Sequence, residues 1–236
     1  MRLSIIIPCY NEEKDIKRKV LDFTVPFLKE NNIDYELILV NDGSKDNTKE
    51  VISSIPNVIA AGYDVNRGKG GAVQEGIRRA SGDFILFMDA DLSTDLKAFN
   101  DIIPLLDKYD FVIGSRHCKG AVLPIKAPLK RRVMSLGCHW IVNMRFGFKY
   151  KDTQCGFKAI QRDIAKKIAD KQIIMKFAFD VEYLYMAKLN NIPVYEMPVT
   201  WRDDRGSTVS PIKSSLKFFK DLSKIKRNKK AYYFTK

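Results

Sequence analysis

Two aspartates separated by one residue, Asp89 and Asp91, give the strongest chemical signal in this sequence. They follow the apolar run Phe84–Met88, which has the length and composition of a buried strand. Side chains alternate along an extended chain, so residues i and i+2 would place both carboxylates on one side. Paired carboxylates suit Mg²⁺ or Mn²⁺, which can bridge to a diphosphate and neutralise charge as it departs. We therefore predict that Asp89 and Asp91 bind a divalent cation and take part in catalysis.

A glycine-rich loop with two basic residues precedes the third predicted helix. It consists of Arg67, Gly68, Lys69 and Gly70. Glycines let the backbone approach a ligand closely, a helix N-terminus attracts anions, and the two cations add charge. The loop matches neither G-x-x-x-x-G-K-[ST] nor G-x-G-x-x-G, so the two common nucleotide-loop signatures are excluded. We interpret it as a phosphate-binding loop of another kind.

Polar clusters also follow the first and second predicted strands. In the first cluster, Tyr10 could stack on a base, while Asn11 and Glu12 could form hydrogen bonds to a base or a ribose. In the second, Asp42 could accept a hydrogen bond from a uracil N–H or a ribose hydroxyl. The same residue types favour turns and helix N-termini, so either cluster alone also fits a helix cap.

Strands and helices alternate through the first half of the chain. The predicted strands are Leu3–Pro8, Tyr35–Val40, Asn57–Gly62, Asp83–Met88 and Asp110–Gly114. The predicted helices between them are Glu12–Glu30, Lys45–Ser54, Gly70–Ala80 and Asp95–Leu106. Near-continuous apolar strands that alternate with helices indicate an α/β fold with a mostly parallel sheet covered on both faces. Ligands bind beyond the carboxyl ends of the strands in such sheets, where the clusters above lie.

The second half of the chain is less regular, because Pro124 and Pro128 interrupt it after the fifth strand. Helices are predicted at Lys130–Phe146, Asp163–Ala169, Phe179–Leu189 and Ser214–Ile225, and extended segments at Phe157–Ile160 and Pro193–Trp201. We predict one domain over residues 1–210, followed by a basic amphipathic C-terminal helix and tail over residues 211–236.

Basic residues are concentrated in two segments of this 236-residue chain, whose net charge is +13. The acid-free segment Phe111–Lys151 has nine of them, and the segment from Pro211 onward has nine against the single acid Asp221. Both segments also contain aromatic and apolar residues, so an anionic membrane surface is the expected partner. A nucleic acid is disfavoured, because aromatic residues are not interleaved with the basic runs and no nucleic-acid motif occurs.

Cysteine content and apolar runs predict where the protein works. The four cysteines form no C-x-x-C pair, which argues against a structural zinc site and a disulfide framework. The first apolar run is too short for a signal peptide, and no stretch reaches the ~20 apolar residues of a membrane span. We expect a cytoplasmic protein that binds peripherally to the cytoplasmic face of a membrane.

The order and spacing of four motifs resemble those of glycosyltransferase family 2. The motifs are Ser4–Glu12, Asn41–Ser44, Arg67–Gly70 and Asp89–Asp91. The resemblance implies a GT-A fold in which a nucleotide-sugar lies across the strand ends with Mg²⁺ or Mn²⁺ as cofactor. The nucleotide-sugar-binding residues implied are Pro8, Tyr10, Asn11, Glu12, Asp42, Arg67, Gly68, Lys69, Gly70, Asp89, Ala90, Asp91 and Arg202.

A second set of motifs resembles the dolichyl-phosphate glucosyltransferase branch of that family. The set comprises Gly114–Arg116, Asp152–Lys158, Phe179–Glu182, and Trp201 with Gly206 and Ser207. The branch implies an inverting transfer of glucose from UDP-glucose to a polyprenyl or dolichyl phosphate. Two departures from the pattern occur: Ser93 stands where the mannosyl relatives often have glutamine, and the transmembrane helices of many members have no counterpart here.

The acceptor chemistry predicts the roles of several further residues. A phosphate monoester has a second pKa near about 6, so its oxygen is already anionic at neutral pH and needs positioning more than a strong base. Arginine suits this task because its fork binds two phosphate oxygens. The predicted lipid-phosphate contacts are Ser115, Arg116, Arg131 and Arg132, and the predicted catalytic residues besides the aspartate pair are Arg116 and Asp180. Arg202 and Arg205 could hold the donor diphosphate. Asp180 and Glu182 could orient sugar hydroxyls, or could simply be acids on a helix surface.

Other functions also fit parts of the sequence. A family 2 enzyme that acts on a sugar hydroxyl in polysaccharide synthesis would need a base, for which Asp180 is the candidate. A mannosyl or N-acetylglucosaminyl lipid-phosphate transferase would use the same motifs with another donor. A sugar nucleotidyltransferase would release pyrophosphate from a nucleoside triphosphate instead of consuming a nucleotide-sugar.

Overall fold

A twisted sheet of mostly parallel strands forms the centre of the structure, a computed structural model. It describes residues 1–124, 129–202 and 211–234, with side chains except at 129–136 and 211–215. The strands in these ranges are β1 (Leu3–Cys9), β2 (Tyr35–Asp42), β3 (Ile59–Tyr63), β4 (Phe84–Phe87), β5 (Phe111–Ser115), β6 (Lys158–Gln161) and β7 (Val194–Pro198). Their order across the sheet is β3-β2-β1-β4-β6-β5-β7. Only β6 is antiparallel to its neighbours, β4 and β5, so the predicted mostly parallel sheet is confirmed.

Helices cover both faces of this sheet, as predicted for the α/β class. They are α1 (Ile16–Arg18), a π-helical segment (Lys19–Thr24), α2 (Val25–Glu30), α3 (Thr48–Ser53), α4 (Lys69–Arg79), α5 (Ala98–Leu106), α6 (Leu129–Phe146), α7 (Arg162–Lys171), α8 (Phe179–Leu189), α9 (Pro211–Arg227) and a 3₁₀ segment (Lys229–Tyr232). Helix α8 has the predicted bounds, and the others differ mainly at their ends.

Three helices begin three or four residues later than predicted, at Ile16, Thr48 and Ala98. The segment predicted as one helix from Glu12 begins at Ile16 and contains the π-helical stretch. Pro26 has no N–H to donate to the preceding turn, which favours a wider turn at this point. Helix α3 begins at Thr48 because Asp46 accepts hydrogen bonds from the Thr48 N–H at 3.1 Å and its hydroxyl at 2.5 Å.

Successive residues of the central strands are buried on opposite faces of the sheet, which explains their near-continuous apolar sequences. Ile6 and Ile38 belong to the core on one face, which α4, α7, α8 and α9 cover. Ile5 and Leu39 belong to the core on the other face, which α1, α2, α3 and α5 cover. The carboxyl ends of β1, β2 and β4 therefore open at one edge of a rigid, doubly covered sheet.

The C-terminal segment takes part in the first of these cores. Leu222, Ile225 and Tyr232 are fully buried there, together with Phe146 of α6. Helix α9 thus shares its core with the sheet, and the predicted division at residue 210 stays a prediction. Within the described ranges, no helix is both long enough and apolar enough to span a membrane.

Candidate active site

Asp89 lies just beyond β4 and forms an ion pair with the glycine-rich loop. Its Oδ1 lies 2.5 Å from Nζ of Lys69, the first residue of α4. Burial lowers the pKa of Lys69, but the charges of Asp89 and Asp180 outweigh this effect and raise it. The loop lysine and the candidate metal ligand, predicted from separate motifs, therefore meet in one site.

Gly156 supports Asp89 from the side of β6. A Cβ atom on Gly156 would lie 1.9 Å from Oδ2 of Asp89, so a larger residue there would displace the carboxylate. The antiparallel strand β6 thus brings a second part of the chain against the end of β4. Sequence reasoning had included Gly156 in a family motif without giving it this role.

Asp91 lies in a turn, so the prediction of two carboxylates along one extended strand is wrong. The strand ends at Phe87, and Ala90 and Asp91 are turn residues. Leu92 then has a φ of 58°, a left-handed conformation that is uncommon outside glycine and frequent at functional sites. The Ser93 N–H donates to Asp91 Oδ1 at 2.9 Å, which fixes the orientation of this exposed carboxylate.

The donor set at Asp89 and Asp91 fits a divalent cation that completes its shell with substrate and water. Mg²⁺ in particular is usually held by one or two carboxylates plus substrate phosphates. Among the residues that the structure describes, no cluster of three or more His, Cys, Asp or Glu is placed to hold a metal ion. Asp89 and Asp91 are the candidate protein ligands for such a cation, and their role as ligands stays a prediction.

Asp42, at the end of β2, holds the glycine-rich loop in place. Its Oδ1 accepts from the Tyr63 hydroxyl at 2.7 Å and from the Arg67 N–H at 3.0 Å. The Gly68 N–H is 3.0 Å from both carboxylate oxygens, and the Asn66 side chain donates to Oδ2 at 2.9 Å. Asp42 is only 4% exposed. Its contact with uridine stays a prediction, while its role in ordering the loop was not foreseen.

Two side chains near the strand ends could contact a nucleotide: Arg67 of the glycine-rich loop and Tyr10 after β1. The Arg67 guanidinium lies 4.3 Å from the centroid of the Tyr63 ring, a cation–π contact that orients it. Asn11 has a φ of 55°, and its N–H donates to Ser44 Oγ at 3.1 Å, which ties the end of β1 to the end of β2. Tyr10 is exposed and accessible for stacking. Next to these residues, Pro8 lies within β1 and Glu12 is half-buried.

A fully buried lysine, Lys158 of β6, pairs with Asp180 of α8. Its Nζ donates to Asp180 Oδ1 at 2.6 Å and also to the carbonyl of Cys155. Burial raises the pKa of Asp180, and Lys158 opposes that rise. Glu182 is fully buried as well, so the interpretation of both acids as helix-surface residues is wrong. Lys158 itself was missed; the available signal was a charged residue within an apolar predicted strand.

Arg116, at the end of β5, forms a two-pronged ion pair with Asp152. Its Nε lies 2.6 Å from Oδ2 and its Nη2 3.0 Å from Oδ1. Burial tends to raise the pKa of Asp152, but the hydrogen bonds and charge of Arg116 outweigh it and hold that pKa at about 2. The guanidinium also lies 5.2 Å from the Trp201 ring centroid. Ser115 is fully buried, and its Oγ accepts from the Cys118 N–H at 3.1 Å, which stabilises the turn after β5; its contact with a lipid phosphate stays a prediction.

Arg202 lies beside the aspartate turn. Its N–H donates to the Ser93 carbonyl at 2.7 Å, and its guanidinium is 3.7 Å from Asp95. The structure therefore places the Arg202 backbone beside Ser93, two residues after Asp91, and its contact with the donor diphosphate stays a prediction. Arg131 and Arg132 lie on α6 with side chains outside the described set. Arg205, Gly206 and Ser207 lie outside the described residues.

Comparison with known proteins identifies the architecture. The family model "Glycosyl transferase family 2" matches residues 4–169. The chain belongs to glycosyl transferase family 2. This family 2 chain is 38% identical to a dolichyl-phosphate beta-glucosyltransferase of Dictyostelium discoideum, over 95% of this chain and 73% of the relative. It is 33% identical to proteins of the same name from Homo sapiens (94% and 74% covered) and Saccharomyces cerevisiae (93% and 72%).

Solved structures confirm the GT-A fold of this family 2 chain. Glucosyl-3-phosphoglycerate synthase from Mycobacterium tuberculosis, in complex with Mn²⁺, UDP and phosphoglyceric acid, superposes with a TM-score of 0.70 at 17% identity, covering 99% of this chain and 80% of that one. The same enzyme with Mg²⁺ and UDP gives a TM-score of 0.68 at 17% identity, covering 97% and 79%.

Proposed function

We propose that this chain is an inverting glycosyltransferase that moves glucose from UDP-glucose to the phosphate of a polyprenyl or dolichyl phosphate. The observation that carries the proposal is the 2.5 Å pair of Lys69 and Asp89, which joins the glycine-rich loop to the aspartate turn. Such a junction suits a nucleotide diphosphate with its cation. The names of the curated relatives support the sugar and the acceptor, and the UDP complexes of the solved relatives support the nucleotide.

The transfer needs positioning more than proton removal. An oxygen of the acceptor phosphate attacks the anomeric carbon, while the bond to the diphosphate oxygen breaks on the opposite face and inverts the configuration. The acceptor oxygen is already anionic near neutral pH, so no base has to deprotonate it. Arg67 and Lys69 would hold the donor diphosphate, and Arg116 would hold the acceptor phosphate.

A divalent cation would be held by Asp89 and Asp91. When bound, it would neutralise charge that develops on the departing nucleoside diphosphate. The chain's own contribution to this charge balance is Lys69, whose ammonium group lies against Asp89. Its long, flexible stem allows the ammonium group to contact either Asp89 or a diphosphate oxygen.

The donor and acceptor can be tested together with purified protein. We expect UDP release from UDP-glucose only when a polyprenyl phosphate is present, and a glucosyl phospholipid product by mass spectrometry. UDP should bind more tightly than GDP or CDP in calorimetry. A GDP preference would indicate a mannosyl donor, and release that requires a saccharide acceptor would contradict the proposed lipid phosphate.

The state of Asp180 favours a phosphate acceptor over a sugar hydroxyl. A hydroxyl acceptor needs a general base, and Asp180 was its candidate. The Asp180 carboxylate is buried and already accepts from Lys158 at 2.6 Å. An anionic acceptor does not depend on such a base, so the geometry supports the lipid-phosphate reaction.

Replacing Arg116 with lysine is expected to raise the KM for lipid phosphate roughly tenfold. Asp152 already engages Nε and Nη2 of Arg116, so a lysine that keeps this ion pair would have fewer N–H groups left to donate to a phosphate oxygen. Lysine is preferable to alanine, which would leave the buried Asp152 carboxylate without its partner. The Kd for UDP, measured by calorimetry, should stay within about twofold. Loss of UDP affinity with an unchanged acceptor KM would instead assign Arg116 to the donor site.

We also propose a membrane-docking surface, consisting of the exposed Trp140, Ile141 and Met144 of α6, with Leu216 of α9. Trp140 is 61% and Met144 62% exposed, and both lie in the acid-free basic segment. Basic residues near an anionic leaflet contribute about 1 kcal/mol each, and aromatic residues add hydrophobic anchoring. This surface would bring the active site to an acceptor whose tail stays in a bilayer.

We expect the Trp140→Ala variant to bind anionic vesicles roughly tenfold more weakly than the wild type in cosedimentation, since a large apolar side chain is lost from the contact. Binding of the wild type should also fade as salt rises. Phe23→Ala is the matched control, because Phe23 is an exposed aromatic on the helical segment that covers the opposite sheet face. If Trp140→Ala and Phe23→Ala lose vesicle binding to the same extent, the proposed docking surface is wrong.

A further inference from the structure

A chain of buried polar contacts begins in the C-terminal segment. The hydroxyl of Tyr232 donates to Glu182 Oε1 at 2.5 Å, and both residues are fully buried. Glu182 lies on α8, in the same core as the sheet. The C-terminal segment is therefore attached to the core by a directional hydrogen bond as well as by apolar packing.

Glu182 also forms hydrogen bonds with the segment between α7 and α8. Its Oε1 also accepts from the Ile173 N–H at 2.9 Å, and its Oε2 accepts from the Ile174 N–H at 3.0 Å. The carboxylate thus accepts three hydrogen bonds, two from backbone amides and one from a hydroxyl. We call residues 172–176 the bracing segment, since the next contacts place it against the glycine-rich loop.

The bracing segment makes two hydrogen bonds to the glycine-rich loop and the adjoining first turn of α4. The Gln172 side chain donates to the Gly70 carbonyl at 2.9 Å, and the Gly71 N–H donates to the Met175 carbonyl at 3.0 Å. The loop also packs closely on this segment, because a Cβ on Gly68 would lie 2.7 Å from the Met175 carbonyl. Gly68 has a φ of 104°, a conformation that glycine adopts without strain.

We propose that Glu182 and Tyr232 are positioning residues for donor binding. They fix the bracing segment, which in turn fixes the backbone between Gly68 and Gly71 and the starting point of the Lys69 side chain. The affinity for a nucleoside diphosphate then depends on how the C-terminal segment is seated, about 160 residues along the chain from the loop. This inference rests on the proposed role of the glycine-rich loop in binding the donor diphosphate.

The geometry argues for a specific link and not for general packing. Each step is a hydrogen bond with at least one buried partner: Tyr232, Glu182, Ile174, Gln172, Gly70 and Gly71 are buried, while Ile173 is exposed and Met175 is half-buried. Removing one partner leaves a buried polar group without its hydrogen bond, which is energetically costly. Tyr232 and Glu182 contact neither Lys69 nor Asp89 directly, so an effect on the donor must act through the bracing segment. Apolar residues that anchor the same C-terminal segment, such as Leu222 of α9, take no part in these hydrogen bonds.

The test is the conservative Tyr232→Phe variant, compared with Tyr233→Phe as a matched control at the neighbouring, exposed tyrosine. We expect the Kd for UDP in calorimetry to rise roughly 5- to 10-fold in Tyr232→Phe and to stay unchanged in the control. The KM for UDP-glucose should rise with it, while kcat changes little. Glu182→Gln, which puts a donor NH₂ group among the donors Ile173, Ile174 and Tyr232, should act in the same direction and more strongly.

Hydrogen exchange of the ligand-free protein gives a second readout. Amides of residues 68–71 should exchange faster in Tyr232→Phe than in Tyr233→Phe. Unchanged exchange and unchanged UDP affinity in Tyr232→Phe, with only a lower Tm, would overturn the proposal and leave Tyr232 a structural residue. If the wild type binds no UDP at all, the proposed donor site fails; faster exchange would still support the link itself.

Discussion

The Asp91→Ala variant is expected to turn over about a thousandfold more slowly than the wild type. The lost carboxylate is one of two that can hold a divalent cation beside the diphosphate, and such a cation contributes several kcal/mol to stabilising the departing charge. Asp89→Ala should be nearly as severe. Chelation of the wild type with EDTA should abolish activity, and added Mg²⁺ or Mn²⁺ should restore it.

Binding measurements separate this effect from misfolding. Mn²⁺ affinity, measured by electron paramagnetic resonance in the presence of UDP, should fall strongly in Asp91→Ala, while the Tm stays near that of the wild type. Asp101→Ala, at an exposed acid on α5, is the control and should behave like the wild type in both assays. Full activity in EDTA would refute the metal assignment.

Replacing Lys158 with methionine is expected to lower the free energy of unfolding by about 3–5 kcal/mol. Lys158 is fully buried, and its loss leaves the buried Asp180 carboxylate without its ionic partner. Burial already raises the pKa of Asp180, and loss of the lysine should raise it further. The folded variant would then bind a proton more readily than the unfolded chain. The difference in unfolding free energy between the wild type and Lys158→Met should therefore become smaller as the pH falls from neutral toward the pKa of an aspartate in the unfolded chain, about 4.

Urea denaturation at several pH values measures this effect. Adding Asp180→Asn to Lys158→Met should recover a large part of the stability, because the unpaired charge is gone. Lys166→Met, at an exposed lysine of α7, serves as the control and should change stability by less than about 0.5 kcal/mol. If Lys158→Met is no less stable than Lys166→Met, the buried pair has little energetic importance.

The apolar strands were predictable because burial on both faces leaves a near-continuous apolar signal in the sequence. The loop around Lys69 and the aspartates at 89 and 91 were predictable as separate motifs, since each is short and contiguous. The contact between Lys69 and Asp89 was not predictable from the sequence. It depends on how β4 pairs with β1 and on how α4 packs against the sheet.

Contacts between distant residues escaped sequence reasoning for the same reason. Arg116 and Asp152 are 36 residues apart, and Lys158 and Asp180 are 22 apart. The residues that flank Arg116 and Lys158 in the sequence do not indicate which acid each one pairs with. The turn at Asp91 was also missed, because a left-handed leucine has no signature in residue type.

The position of β6 has a consequence for the order of folding. Strands β4 and β5 do not pair with each other; β6 lies between them, antiparallel to both. During synthesis, the first 115 residues can therefore form the four-stranded unit β3-β2-β1-β4, while β5 can pair with β6 only after residues 158–161 have emerged. Closing so long a loop is entropically costly, and non-local pairing of this kind slows folding. The same insertion brings Gly156 against Asp89, so the geometry of the candidate site is completed only by a late, long-range step.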